Sequence, residues 1–382
     1  MINEVQIKSK KKEKIYSYNA FKGIGSIFIL FSHMAYLSET VNPFWHSFWE
    51  NFMRHGYVFT TLFFIISGFF LAYTWKDKNF KDYIISKLKR VYPLVIIVFT
   101  LALVITIVLS KNIEPNKNIP LGSLLWIFNI FANIFLLKAF VPYETTFYSF
   151  HGPSWYISAL FGLYIFGYIL LKKINSENTI VRKVWLKKSL NICIFTYGIE
   201  FLICLAMLIS GKGSLYWGYV NPWFRILGEG LAGILLCEYM PKIQKKVRLI
   251  KANIVEIFAV FLFFIVYIFN NFNKLNIFSA WIWIFPFGFL LIAFKNDKGC
   301  VSKILKKKPF QFLGDISFEL YMTHAFVYEG LPILVGIVSK SLKETLIYYA
   351  GTRFIITLIL SIIFAWIVNN LMNRAYKLKI LG

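Results

Sequence analysis

Residues 91–110 read VYPLVIIVFTLALVITIVLS and contain no charged side chain. A run of about 20 apolar residues is as long as a helix must be to cross the hydrocarbon core of a bilayer. Lipid offers the backbone no hydrogen-bond partner, so a run of this kind forms a helix or part of a closed barrel. Polar and apolar residues do not alternate here as they would in a barrel strand. This segment therefore predicts a transmembrane helix.

Further apolar segments lie on both sides of that run. Hydrophobic residues make up 58% of the 382-residue chain and charged residues only 16%, whereas about 25% charged residues are usual in soluble domains. This composition predicts an all-α fold, a polytopic membrane helix bundle. The other candidate segments are 15–37, 57–75, 122–141, 154–171, 189–210, 223–240, 253–270, 277–294, 315–338 and 346–370.

The distribution of lysine and arginine tests whether all of these segments cross the membrane. Loops on the cytoplasmic side carry an excess of these two residues. If 122–141 does not cross, 31 of them lie inside and 8 outside, but if it does cross the numbers become 15 and 23. The rule therefore favours about ten transmembrane helices in the plasma membrane, both termini cytoplasmic, and a re-entrant or interfacial segment at 122–141. Asn129, Asn133 and Lys138 suit such a segment, because each would be costly against lipid.

Charge and cysteine content also bear on domains and partners. The net charge of +24 is accounted for by the short loops between membrane helices, so the bilayer rather than a nucleic acid is the expected partner. We divide the chain into a basic cytoplasmic tail (1–14), a transmembrane domain (15–373) and a short cytoplasmic tail (374–382). The four cysteines have no spacing typical of a zinc or disulfide framework, so no metal is expected. The pattern indicates nothing about oligomeric state.

Ionisable residues inside membrane helices are the candidates for function, because insertion of each costs about 2.5–3.5 kcal/mol. Lys22 and His33 are eleven residues apart in the first segment. A helix places them within about 20° of one face and about 16 Å apart along its axis. A histidine is well suited to accept a proton at neutral pH. The alternatives are that Lys22 extends to the inner surface and that His33 is a histidine bonded inside the bundle.

Other charged and aromatic residues extend this set. Lys87, Lys89 and Arg90 could hold the phosphates of a nucleotide-like molecule, but from spacing alone ordinary positive-inside charge explains them better. Arg225 and Glu229 are four residues apart on one helix face and can pair. The remaining candidates are His324, in the middle of its segment, and His151 and Trp155, at the start of another.

Several short motifs, taken in this order along the chain, resemble acyltransferase family 3, the membrane-bound O-acyltransferases of surface glycans. The resemblance covers nearly the whole chain, in the standalone form without an esterase-like domain. Its motifs are Tyr18-Asn19-Ala20-Phe21-Lys22-Gly23 with His33, Phe63-Phe64-Ile65-Ile66-Ser67-Gly68-Phe69, Lys87-Leu88-Lys89-Arg90-Val91-Tyr92-Pro93, Ser154-Trp155-Tyr156, Arg225 with Glu229 and Gly233, and Phe312-Leu313-Gly314-Asp315-Ile316-Ser317-Phe318-Glu319-Leu320-Tyr321 with His324.

The resemblance implies roles for several of these residues. His33 would be the catalytic histidine, and Lys22 would help to orient the acyl donor. The family shows two arginines three positions apart at the third helix, where this chain has Lys87 and Arg90. A lysine keeps the charge of an arginine but lacks its bidentate fork. The acid that usually precedes the first basic residue by three positions is Asn19 here, which removes an expected charge partner of Lys22.

These implications give one main hypothesis and two rivals. The family resemblance implies transfer of an acetyl group from cytoplasmic acetyl-CoA to a hydroxyl of an extracytoplasmic polysaccharide or lipid-linked glycan. In this hypothesis Lys22, Lys87, Lys89 and Arg90 bind the donor. The acceptor side comprises Arg225, Glu229, His151, Trp155 and His324. The rivals are a glycan transporter or flippase without catalytic activity and a structural or sensory membrane subunit.

Overall fold

The computed structural model describes residues 13–108, 119–210, 221–247, 250–272 and 279–378, and every regular element among them is helical. Residues 1–12 of the predicted N-terminal tail and the last four residues lie outside the described residues. The helices in the first half are α1 (Tyr16–Ser32), α2 (Pro43–Phe48), α3 (Phe59–Tyr73), α4 (Phe80–Val108), α5 (Leu124–Ile134), α6 (Glu144–Phe147), α7 (Trp155–Ile174) and α8 (Thr179–Ser210). Those in the second half are α9 (Asn221–Phe224), α10 (Leu231–Val247), α11 (Ala252–Phe272), α12 (Ser279–Phe294), α13 (Cys300–Leu305), α14 (Lys308–Asp315), α15 (Ser317–Val338), α16 (Lys340–Tyr348) and α17 (Ala350–Lys377).

The prediction of an all-α, polytopic membrane bundle is confirmed. Seven helical stretches among the described residues are long and apolar enough to cross a bilayer. Three more predicted crossings coincide with α1, with the continuous helical stretch from α9 through α10, and with α12. Large apolar side chains such as Phe261 and Ile355 are exposed, whereas Arg225 and Glu229 are buried. This distribution is the one that lipid around the bundle requires.

The segment predicted at 122–141 contains the short helix α5. Its 11 residues span about 16 Å, roughly half of a hydrocarbon core. α5 ends in a turn at Phe135 and Leu136, and Leu136 has a positive φ of 56°. Ser158 of α7 fixes this turn, because its hydroxyl donates to the Leu136 carbonyl (2.5 Å) and accepts from the Ala139 N–H (3.1 Å). A short helix followed by a fixed turn is what a re-entrant or interfacial segment requires.

The polar residues of that segment face protein, as predicted. Asn133 donates to the Ser149 hydroxyl at 2.6 Å, and Asn129 accepts from the Thr146 hydroxyl at 2.7 Å. Lys138 is only 1% exposed. Its Nζ lies 2.9 Å from each of three acceptors, which are Ser149 O, His151 O and Ser154 Oγ. One buried ammonium therefore shapes the loop that leads into α7.

Helix α1 is fixed in position by two contacts. At its N-terminus the Asp297 carboxylate accepts the backbone N–H groups of Tyr16 (2.7 Å) and Ser17 (3.0 Å), where an anion is favoured by the helix dipole. Further along, a Cβ added to Gly23 would lie 2.6 Å from the Gly314 backbone nitrogen. The glycine therefore allows the backbones of α1 and α14 to touch, which holds the helix that carries Lys22 and His33.

Candidate active site

His33 caps the C-terminus of α1 and faces another helix of the bundle. Its ring centroid lies 5.1 Å from that of His324 and 5.9 Å from that of Tyr328, both on α15. The Tyr328 ring is nearly parallel to it, at 9°. His33 is exposed, whereas His324 has no accessible surface. The imidazole that the sequence singled out therefore lies against α15, beside His324 and Tyr328.

Backbone hydrogen bonds fix the tautomer of His324. Its Nδ1 lies 2.7 Å from Tyr321 O and 3.2 Å from Leu320 O. Carbonyl oxygens only accept, so Nδ1 carries the proton and donates. In the neutral ring Nε2 is then a lone-pair acceptor. That nitrogen is buried and has no hydrogen-bond partner among the described residues.

A third histidine, His151, comes from the loop before α7. It is 3% exposed, and its ring stacks on Phe326 of α15 at 5.2 Å. Neither of its ring nitrogens has a hydrogen-bond partner in the part of the chain that the structure describes. It lies close enough to His33 and His324 to interact with both electrostatically. We call His33, His151 and His324 the histidine cluster.

Two tyrosines that the sequence analysis gave no role connect this cluster to α7. The Tyr321 ring lies 6.0 Å from His324 and 5.3 Å from Tyr156, and its hydroxyl donates to Pro153 O at 2.8 Å. Trp155, the aromatic residue singled out instead, stacks on Phe147 at 5.3 Å. The four-residue spacing from His324 to Tyr328 could have identified the latter, because such pairs share a helix face.

Arg225 and Glu229 form the predicted pair, at the junction of α9 and α10. Each side chain is 2% exposed, and Arg225 Nη1 lies 3.2 Å from Glu229 Oε2. The same nitrogen donates to the hydroxyls of Thr60 (2.9 Å) and Thr61 (3.0 Å) at the start of α3. This guanidinium is thus held by protein oxygens, and Tyr156 and Tyr321 lie close enough to interact with it electrostatically.

The predicted donor-binding cations meet at the opposite end of α1, which we call the basic end (Lys22, Lys87, Lys89 and Arg90). Lys22 is half-buried and lies within electrostatic range of Arg90, while Lys89 and Arg90 are exposed. Lys87 lies over the rings of Tyr83 (5.3 Å) and Tyr164 (5.9 Å). The structure therefore brings these four residues to one end of the bundle.

Acidic residues from α14 and α15 replace the missing acid at Asn19. Asp315 and Glu319 both lie within electrostatic range of Lys22. Asn19 itself donates from Nδ2 to Asp315 Oδ1 at 2.8 Å. The acidic neighbours of Lys22 thus come from a distant part of the chain, and Asn19 donates to one of them.

Comparison with known proteins identifies the family of the chain. A family model described as an acyltransferase domain matches residues 15–369. Acyltransferase MdmB of Streptomyces mycarofaciens is 28% identical over 134 residues, which is 34% of this chain and 32% of that protein. The chain thus matches about a third of the length of this curated relative. No solved structure matches the chain. The match over nearly the whole transmembrane bundle shows that the chain belongs to acyltransferase family 3.

Proposed function

We propose that this membrane acyltransferase moves an acetyl group from cytoplasmic acetyl-CoA to a hydroxyl of an extracytoplasmic polysaccharide or lipid-linked glycan. The plasma membrane is the proposed location, with both termini and the basic end in the cytoplasm. The main support is the placement of two groups on α1, Lys22 at the basic end and His33 in the histidine cluster. One rigid helix thus connects a site for an anionic donor with a proton acceptor.

At the basic end the cations suit the phosphates of the donor. The side chains of Lys22, Lys87, Lys89 and Arg90 make no hydrogen bond or ion pair to any described residue. Their N–H groups are therefore available to phosphate oxygens, and charge-assisted hydrogen bonds of this kind are among the strongest. The arm that carries the thioester would enter the bundle beside α1.

In the histidine cluster His33 would act as the general base. It takes the proton from the acceptor hydroxyl while the hydroxyl oxygen attacks the thioester carbonyl carbon. The resulting tetrahedral oxyanion collapses, the carbon–sulfur bond breaks, and the leaving thiolate takes up the proton. General acid–base catalysis of this kind contributes about 10²–10⁴-fold. His324 Nε2 and the ring nitrogens of His151 would hydrogen-bond the acceptor.

On the acceptor side, Trp155 would provide an aromatic surface for a sugar. Arg225 and Glu229 are buried and already hydrogen-bonded, so we propose that they act on the acceptor by holding α3 and the tyrosines Tyr156 and Tyr321 in place.

The decisive experiment replaces His33 with alanine and measures ester-linked acetyl released from envelope glycans by mild alkali. We expect a loss of at least about 100-fold, because the proton acceptor is removed. His46→Ala is the matched control, because His46 is an exposed histidine whose Nδ1 lies 2.7 Å from Ser38 O. Full acetylation by His33→Ala would refute the proposal.

The same strains separate the proposal from its rivals. A transporter predicts that glycan export, rather than acetylation, depends on the histidine cluster. A structural or sensory subunit predicts that the purified protein does not bind coenzyme A. Binding that is weakened by Arg90→Ala would exclude that rival, because the guanidinium is expected to contact a phosphate.

A further inference from the structure

Two adjoining cavities lie at the turn between α3 and α4, next to the basic end. The larger has a volume of about 520 Å³ and is lined by Asp77, Lys78, Asn79, Asp82, Ile85, Ser86 and Lys89. The smaller, of about 80 Å³, is lined by Leu71, Thr74, Trp75, Lys76, Lys78, Tyr83, Ser86 and Lys87. Lys78 and Ser86 belong to both linings, so the cavities form one depression, which we call the α3–α4 groove.

The backbone around the groove is held in place. The Tyr168 hydroxyl of α7 donates to Lys78 O at 3.1 Å. Asn79 caps α4, because its Oδ1 accepts the Asp82 N–H at 2.8 Å and its Nδ2 donates to the Asp82 carboxylate at 2.7 Å. The groove is therefore a formed surface rather than a loose turn.

The cations of the groove are available to a ligand. Four lysines line it, and none of their ammonium groups makes a hydrogen bond or ion pair with a described residue; they are Lys76, Lys78, Lys87 and Lys89. Asp77 and Asp82 lie in the lining of the larger cavity only. Positive charge therefore dominates where the two cavities join, at Lys78 and beside Lys87, which favours phosphate there.

A residue with a buried, unpartnered hydroxyl lines the smaller cavity. Tyr83 is 4% exposed and lines the smaller cavity, yet its hydroxyl has no hydrogen-bond partner in the described ranges. A buried hydroxyl without a partner is costly, so a polar ligand group in the cavity would be favoured. Its ring packs near Trp75 (5.7 Å), which is half-buried and offers an aromatic surface to a base.

The position of the groove relates it to the donor. Lys87 and Lys89 belong both to the groove and to the basic end, and Arg90 leads on to Lys22 of α1. Coenzyme A is a long molecule with its thiol at one end and a 3′-phosphorylated adenosine at the other. With the thioester inside the bundle, the nucleotide end would remain outside, next to α4.

We propose that the α3–α4 groove binds the 3′-phosphorylated adenosine end of the acyl-CoA donor, with Lys78 contacting the 3′-phosphate and the Tyr83 hydroxyl hydrogen-bonding the ligand. This inference rests on the proposed function, because it presupposes a coenzyme A thioester. It adds a nucleotide site beyond the basic end, formed by the turn before α4 and by the first turns of α4 itself.

Calorimetry on the purified full-length protein tests the proposal with two probes, coenzyme A and 3′-dephospho-coenzyme A. We expect the wild type to bind coenzyme A about tenfold more tightly, as one charge-assisted hydrogen bond would give. Lys78→Ala should remove that preference by weakening only coenzyme A, while Lys242→Ala, at an exposed lysine of α10, should leave it unchanged. Tyr83→Phe should weaken both probes and keep the preference, because it removes only the hydroxyl.

The possible outcomes distinguish this inference from the proposed function. A preference for coenzyme A that persists in Lys78→Ala, or equal binding of both probes by the wild type, overturns the groove assignment while the donor stands. A wild type that binds neither probe overturns both. Unchanged binding by Tyr83→Phe contradicts the assigned contact of the hydroxyl.

Discussion

At the scale of single residues, substitutions of His324 can separate the role of its Nε2 atom from the role of its side-chain volume. Nδ1 donates to backbone carbonyls of its own helix, and Nε2 is the nitrogen left for chemistry. Asparagine can imitate the Nδ1 donor but places nothing at Nε2, whereas the longer glutamine can place an amide group near Nε2.

We therefore expect His324→Asn to lose acetyl transfer about 100-fold and His324→Gln to retain a measurable part of it. Alkali-released acetyl, normalised to protein in the membrane, is the measurement. His46→Asn serves as control, because it alters an exposed histidine. Equal activities of the two His324 variants would show that Nε2 has no part in the reaction.

The residues of the site were predictable to different degrees. His33 and Lys22 could be identified because an imidazole and a cation inside an apolar helix are costly and their spacing places them on one face. Tyr321 could not, because the chain has 22 tyrosines and most serve packing or interfaces equally well. The role of Asp315 beside Lys22 was hidden for another reason, since it depends on the contact between α1 and α14.

At the scale of elements, the loop before α7 depends on one buried amine. Lys138→Met removes the donor for Ser149 O and His151 O but keeps a side chain of similar length. Acceptors left unsatisfied in a buried site cost about 1–3 kcal/mol each, so we expect a loss of about 2–5 kcal/mol in the free energy of unfolding. Thermal unfolding in detergent measures this, with Lys340→Met at an exposed lysine as control.

Acetyl transfer should fall with that loss of stability, because His151 belongs to the loop. A Lys138→Met protein that unfolds at the wild-type temperature would show that the three contacts of the amine contribute little.

The contact between α1 and α14 gives a second prediction at this scale. Gly23→Ala should destabilise the protein, because the new methyl group would lie 2.6 Å from backbone atoms of α14, which cannot move away easily. Gly198→Ala in α8 meets no atom within 4 Å and should be neutral or stabilise by about 0.5–1 kcal/mol, since alanine favours helix more than glycine. Thermal unfolding of both variants checks this contrast, and equal effects would contradict it.

The positions of the helices were largely predictable, but their ends were less so. α4 begins at Phe80, eleven residues before the apolar run, and α17 continues to Lys377, beyond the predicted start of the C-terminal tail. Hydropathy detects only the part of a helix that meets lipid, and charged turns can extend the same helix into water. The re-entrant or interfacial placement of 122–141 is a prediction that needs the charge balance of the loops, because the hydropathy of the segment by itself suggests a crossing.

At the scale of the whole molecule, the side on which each loop lies can be tested by labelling. Cysteines introduced at Glu39, Glu144 and Lys307, all exposed positions, are treated in intact cells with a maleimide that cannot cross the membrane. The background carries serine at the four native cysteines. We expect the cysteines that replace Glu39 and Glu144 to be labelled in intact cells. The cysteine that replaces Lys307 should be labelled only after permeabilisation, because the loops rich in lysine and arginine lie inside.

Protection of the residue-144 cysteine with labelling at residue 39 would mean that α5 crosses after all.

The fold class and the family could be predicted from the sequence, because apolar length and motif order persist along the chain. The histidine cluster could not, because α1, the loop before α7 and α15 meet only in three dimensions.

The spacing of Lys22 and His33 along α1 restricts which donors the proposed transfer can use. Both residues belong to one helix, so the level of Lys22 and the level of His33 stay about 16 Å apart. In the transfer that we propose, a donor must place its phosphates at one level and its acyl carbon at the other. In a compact compound such as acetyl phosphate, the phosphate and the acyl carbon are only a few bonds apart. Such a compound could not contact Lys22 and His33 at the same time, whatever its chemical reactivity.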